Sequence, residues 1–131
     1  MRQEKILEYK LLFQQLQQLQ QNIHAVGQHL EDLKKIQENI ETISSTSSGT
    51  ETLVPLGSGI FLKAQVKDTT RLIMNVGASI CVEKTPLEAV EAVSKQLIEM
   101  EQLFGQLEEE AERTAEQIQY FKKEMGSLER E

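Results

Sequence analysis

Two histidines, one cysteine, a Gly-Ser-Gly step and a run of glutamates are the residues of this 131-residue sequence whose types suit catalysis or ligand binding. His24 and His29 stand five apart on a stretch of helical periodicity. Their side chains therefore leave in different directions and miss the i, i+4 spacing of a helical metal pair. Cys81 sits in Ile80-Cys81-Val82 with no histidine in a predictable relation to it, and reads as a small residue packed in a sheet. Gly57-Ser58-Gly59 lacks the Lys-Ser/Thr and the following helix of a phosphate loop, so a tight turn explains it better. Glu108-Glu109-Glu110, Glu112 and Glu116 fall on outer helix faces, a solvated surface with modest support from Arg113. No enzyme chemistry, metal or cofactor is expected.

Composition narrows the choice further. Hydrophobic residues make up 39%, aromatics 5% and charged residues 27%, with no Trp, so Leu, Ile and Val must supply the apolar contacts. That suits helical seams better than a thick globular core. The net charge of -7 disfavours nucleic acid and anionic membrane as partners. One cysteine closes no internal disulfide, and the start, MRQEKILEYK, lacks the apolar stretch of a signal peptide. No apolar run approaches the ~20 residues of a membrane span. A cytoplasmic setting is the expectation.

The elements that must position these residues show in the periodicity. Tyr9, Leu12, Leu16, Leu19, Ile23, Val26, Leu30, Leu33, Gln37 and Ile40 follow steps of three and four without a slip. The series Val90, Val93, Leu97, Met100, Phe104, Leu107, Ala111, Thr114, Ile118, Phe121, Met125 and Leu128 does the same. Both are coiled-coil seams, and each predicts a helix of roughly 40 residues, about 60 Å long. The natural partner of each is the other, lying antiparallel; a parallel homodimer is the alternative. Thr85-Pro86-Leu87-Glu88 writes the start of the second helix as a capping box with Pro at its first position. Leu87, Ala89 and Ala92, off the seam, are expected to seat that helix on the strands. The domain plan is a helix over 1–43, a flexible polar linker over 44–52, an assembly module over 53–84 and a helix over 85–131.

Between the helices the period changes to two. Strands are expected at Leu53–Leu56, Ile60–Lys67, Leu72–Val76 and Ile80–Glu83, joined by Gly57-Ser58-Gly59, a turn at Asp68 and Gly77-Ala78-Ser79, hence two hairpins. Four short strands leave open edges and a half-covered apolar face. Other strands are needed to complete them, unless they fold back on their own helices. Leu53, Val54, Leu56, Ile60, Leu62, Val66, Leu72, Ile73, Met74, Val76, Ile80 and Val82 are the candidate assembly residues.

Off the seams, positions 14–32 of the first helix are jacketed in Gln and other polar or small residues, but Ile6, Leu7, Leu11 and Phe13 are apolar. A two-helix pair covers one stripe per helix, so these face water, near Tyr120, Phe121, Met125 and Leu128 of the second helix. Lys5, Lys10, Lys122 and Lys123 flank the patch. Such a surface suits other exposed apolar chains, or packs on a neighbouring subunit.

The layout as a whole, with Leu53-Val54-Pro55-Leu56-Gly57-Ser58-Gly59 opening the strands and Val76-Gly77-Ala78-Ser79 before the fourth, resembles the alpha class of the prefoldin family. Two hairpins rather than one are the feature that separates the alpha from the beta class. The fold class implied is α+β: a long antiparallel two-helix coiled coil with two central β-hairpins that join an oligomeric β-barrel. The resemblance implies an ATP-independent chaperone, a hetero-hexamer of two alpha and four prefoldin beta subunits. Such a complex holds unfolded client proteins at its coiled-coil tips and delivers them to a group II chaperonin. Leu53–Glu83 would then assemble the complex, and Ile6, Leu7, Leu11, Phe13, Tyr120, Phe121, Met125 and Leu128 would hold clients. The alternatives are a filament-forming prefoldin-like protein and a coiled-coil scaffold without client transfer.

Overall fold

The computed structural model describes residues 2–129, with the side chains of Arg2 and of 127–129 outside that description. Helix α1 (Arg2–Ser44) leads to strands β1 (Glu51–Gly57), β2 (Ile60–Gln65), β3 (Leu72–Gly77) and β4 (Ile80–Lys84), and helix α2 (Pro86–Glu129) follows. The fold is thus two long helices with two antiparallel hairpins between them. Among the described residues no helix is long and apolar enough to cross a membrane. The chain divides into two compact units, one made by 2–31 with 98–129 and the other by Asp32–Leu97.

In the first unit the helices run antiparallel. Lys5 Nζ lies 3.7 Å from a Glu124 carboxylate oxygen, and Phe104 packs against Gly27, where an added Cβ would sit 3.5 Å from the ring. Leu19, Leu30 and Ile118 are buried, and the other seam residues up to Met125 are half-buried. Thr114, the one polar residue of the α2 seam, is also buried. Its hydroxyl donates to the Glu110 carbonyl at 2.9 Å, so it brings no unsatisfied polar group into the seam.

The second unit has its own core of Leu33, Ala89 and Val93, with Leu33 only 3% exposed. Gln37, the polar interruption of the α1 seam, donates from Nε2 to Ser94 Oγ at 2.9 Å. The capping box forms as its residues dictate: the Glu88 amide donates to Thr85 Oγ1 at 3.2 Å, and the Thr85 amide donates back to Glu88 Oε1 at 3.3 Å. Ala89 is buried in this unit, whereas Leu87 is 70% exposed and does not seat the helix as expected. The box explains the difference, because it puts Pro86, Ala89 and Val93 on one side of the helix and Leu87 about 100–160° around from each of them at 100° per residue.

The Glu88 carboxyl is held below its ordinary value by the hydrogen bonds from the Thr85 amide and hydroxyl, with Lys84 adding attraction. These partners exist only in the folded cap. Its stabilisation is therefore complete above the ordinary value of 4.5 and is lost as pH falls through the lower, folded one. Thermal melts taken downward from pH ~6 should steepen their decline in that window, and Glu88→Gln should flatten it.

The expected flexible linker is instead a hydrogen-bonded turn. The Gly49 amide donates to the Val66 carbonyl, the Val66 amide donates to the Thr50 carbonyl, and Ser48 Oγ donates to the Lys67 carbonyl. Short polar side chains that stop a helix also bond nearby backbone, which ties the segment to the end of β2. Between the hairpins, Asp68 Oδ1 accepts from the Thr70 amide at 2.8 Å and closes a tight turn.

The two hairpins repeat one design. Gly57 pairs with Ile60 and Gly77 with Ile80, and each first strand carries a bulge just before that pair, between Pro55 and Gly57 or between Asn75 and Gly77. Each ends in a two-residue turn with both φ angles positive, Ser58-Gly59 at 49° and 78° and Ala78-Ser79 at 50° and 62°. This handedness matches strand twist but disfavours residues with a Cβ. Replacing Ala78 by Asn together with Ser79 by Gly should stabilise the second hairpin by about 1 kcal/mol, read as a rise in denaturation midpoint. A fall would mean that those two side chains make contacts worth more than the strain.

Candidate functional site

Alternation along the strands sorts the hairpin side chains onto faces. In β1–β2, Val54 lies opposite Leu62 and Thr52 opposite Ala64, so that face continues toward Leu56 and Ile60 at the turn. Leu53 lies opposite Lys63 and Pro55 opposite Phe61 on the other face. Both faces carry exposed apolar side chains, the first along its length and the second as Leu53, Pro55 and Phe61 beside Lys63 and the Glu51–Gln65 pair. Phe61 was absent from the sequence-based candidates because alternation had grouped it with Lys63. The cross-strand pairing with Pro55 is what joins it to Leu53 in an apolar face.

In β3–β4, Leu72, Met74 and Val82 share one face, which runs on to Val76 and Ile80. The first three are half-buried, while Val76 and Ile80 are exposed. The opposite face carries Ile73, Asn75, Cys81 and Glu83. Ile73, 78% exposed, thus sits among polar neighbours and on the other side of the hairpin from Val76. Arg71 donates to Glu83 at 2.9 Å along that edge, a solvent-exposed pair of small energetic weight.

Among the described residues no strand pairs one hairpin with the other; each is a separate two-stranded sheet. Isolated hairpins of this size are marginal in water. The twelve candidate assembly residues divide accordingly: Val66, Leu72, Met74 and Val82 are half-buried, and Leu53, Val54, Leu56, Ile60, Leu62, Ile73, Val76 and Ile80 are exposed.

The second candidate surface lies on the unit formed by 2–31 and 98–129. Leu7 is 59% exposed, Tyr120 63%, and Leu11, Phe13 and Ile6 progressively less. Phe13 rests on Tyr9, with ring centroids 5.6 Å apart, so part of its surface is engaged within α1. Phe121 and Met125 are half-buried in the seam, and the Leu128 side chain lies outside the described residues. Leu11, Leu12 and Phe121, with Glu8, Gln15 and Gln117, line a shallow groove of about 300 Å³ between the helices. On the α2 side, Tyr120 and Phe121 join Arg113, Glu116 and Gln117 around a second depression of about 500 Å³. Leu12 and Gln117 were not among the candidates: Leu12 is a seam residue, taken for core until the groove beside it is seen, and Gln117 is an exposed polar residue of a kind the apolar pattern does not single out. Ile98 and Leu103 are further exposed apolar residues of α2 that the seam pattern did not single out.

Cys81 is exposed, and among the described residues no group of three or more His, Cys, Asp or Glu side chains is placed to hold a metal ion.

An antiparallel helix pair bearing two hairpins with uncovered apolar faces defines a subunit whose strands need partners. The chain belongs to the prefoldin family: the family model described as Prefoldin subunit matches residues 12–130. Within it, the chain is similar to alpha subunits. It is 35% identical over 112 residues to the Prefoldin subunit alpha of Methanococcoides burtonii, a match covering 77% of this chain and 81% of that protein. To the Prefoldin subunit alpha 1 of Methanocaldococcus jannaschii it is 32% identical over 123 residues, 93% of this chain and 83% of that one. In fold it matches a chain from the cryo-EM structure of filamentous PFD from Methanocaldococcus jannaschii with a TM-score of 0.74. That match covers 93% of this chain and 98% of the other at 18% identity. Membership in the family implies a chaperone role within an oligomeric complex.

Proposed function

We propose that this chain is the alpha-type subunit of an ATP-independent, cytoplasmic chaperone that holds unfolded or nascent proteins and passes them to a group II chaperonin. Its partners in this reading are prefoldin beta subunits, in a complex of two alpha and four beta chains. The observation that carries the proposal is that each of the two units carries its own kind of uncovered apolar surface. One kind lies on strands with unpaired edges, the other on side chains of the helix pair formed by 2–31 with 98–129. Strand edges are satisfied by more strands, a geometrically exacting match that favours one fixed partner. Leucine and aromatic side chains on a helix surface impose no register, and suit many unfolded chains in turn.

The test is suppression of aggregation. Mixed with a beta-type subunit, the chain should keep a denatured test protein soluble at near-stoichiometric amounts without nucleotide, and added group II chaperonin should take up the test protein. No suppression would leave a scaffold in place of a chaperone. Light scattering of the same mixture separates a closed complex of six subunits from a filament, the state named for the structurally similar Methanocaldococcus protein.

A further inference from the structure

Charge is not spread evenly over the helices that carry the apolar surface. Residues 98–131 include ten Asp and Glu against four Lys and Arg, whereas residues 1–31 include three of each. Part of this excess borders the aromatic side chains directly. Glu109, Glu112, Arg113 and Glu116 line a depression of about 300 Å³ on α2. Arg113 and Glu116 also line the neighbouring one that contains Tyr120 and Phe121. Spacings of three and four residues set Glu109, Glu112, Glu116 and Tyr120 along one side of the helix, with Lys123 a further three residues on, so the carboxylates lie to one side of Tyr120, toward residue 109, and a lysine to the other. The result is an apolar anchor point continuous with a strip in which three carboxylates meet one guanidinium.

Resting on the client-holding reading, we infer that this face of α2 selects among unfolded chains by charge. Its preferred occupant is an apolar client segment that carries Lys or Arg a few residues from the side chain seated against Tyr120 and Phe121, on the side that lies over Glu116, Glu112 and Glu109 and away from Lys123. An apolar anchor alone would bind any greasy segment with equal strength. A cation a few residues away gains from the carboxylate strip, and an anion is repelled by it. Exposed pairs of this kind are individually weak, and two or three acting together amount to about a tenfold difference in affinity at low salt.

The experiment uses the full chain in complex with a beta-type subunit and two labelled peptides with one shared apolar core, flanked either by lysines or by glutamates. Fluorescence anisotropy should show the lysine-flanked peptide binding about tenfold more tightly, with the gap closing at high salt and in Glu109→Gln/Glu112→Gln/Glu116→Gln. Equal binding of both peptides, weakened by Tyr120→Ser, would overturn the preference while leaving client holding intact. If neither peptide binds, the holding reading falls and the preference with it. A triple variant that keeps the peptide preference but no longer binds group II chaperonin would assign the carboxylates to that partner and overturn their role toward clients.

Discussion

A chain carrying Val76→Asp is expected to remain at monomer mass when mixed with a beta-type prefoldin subunit, while Ile73→Asp still enters a complex. The two residues are three apart on one strand, and their side chains leave on opposite sides of the hairpin. Val76 extends the face of Leu72, Met74, Val82 and Ile80, which is apolar from the turn up to Lys84, the partner of Leu72 at the open end of the hairpin. Covering that face with another subunit's strands would bury an unpaired carboxylate, at about 3–5 kcal/mol per site. That is a loss of more than about a hundredfold in association. Ile73 shares its side with Asn75 and Glu83, where a new carboxylate stays hydrated. Light scattering of the two mixtures decides the matter, and a Val76→Asp complex of normal mass would rule out burial of that face. The first hairpin is different, with apolar residues on both sides; Leu62→Asp and Phe61→Asp should each weaken assembly there.

The second large effect concerns client capture. Combining Leu7→Ser, Leu11→Ser and Tyr120→Ser should reduce affinity for an unfolded test protein by about a hundredfold, on the basis of about 1 kcal/mol for each side chain partly desolvated by a client. The mass of the complex should not change. These three are chosen for their exposure; the Phe13 ring packs against Tyr9, so its replacement would disturb α1 as well as the surface. Normal aggregation suppression by the triple variant would remove this surface from the holding mechanism. A drop in complex mass would show that it contacts a neighbouring subunit instead.

How much of this was legible beforehand differs by element. The seams were readable residue by residue, because a slip in the three-four spacing would expose a whole stripe, and none occurs from Tyr9 to Ile40 or from Val90 to Met125. Both polar interruptions proved to be satisfied, Gln37 by Ser94 and Thr114 by its own helix. The capping box was equally local, a matter of four consecutive residues. The polar segment after α1 was misjudged, since Ser, Thr and Gly residues read alike whether they dangle or bond the end of a strand. Leu87 was misjudged for a related reason: its apolar nature was visible, its direction was not.

Length, breaker residues and hydrophobic period determined by themselves that this protein is two helices and two hairpins, because each of those signals acts within a few residues along the chain. Which face of a hairpin is apolar was decided only in three dimensions. Strand register brings Phe61 opposite Pro55 and separates Ile73 from Val76, and a bulge beside each turn shifts the pairing by one residue. Register depends on partners distant in sequence and on the twist of each turn, and a shift of one residue exchanges the two faces. The same holds for the grooves beside Phe121, which exist only because α1 and α2 lie side by side.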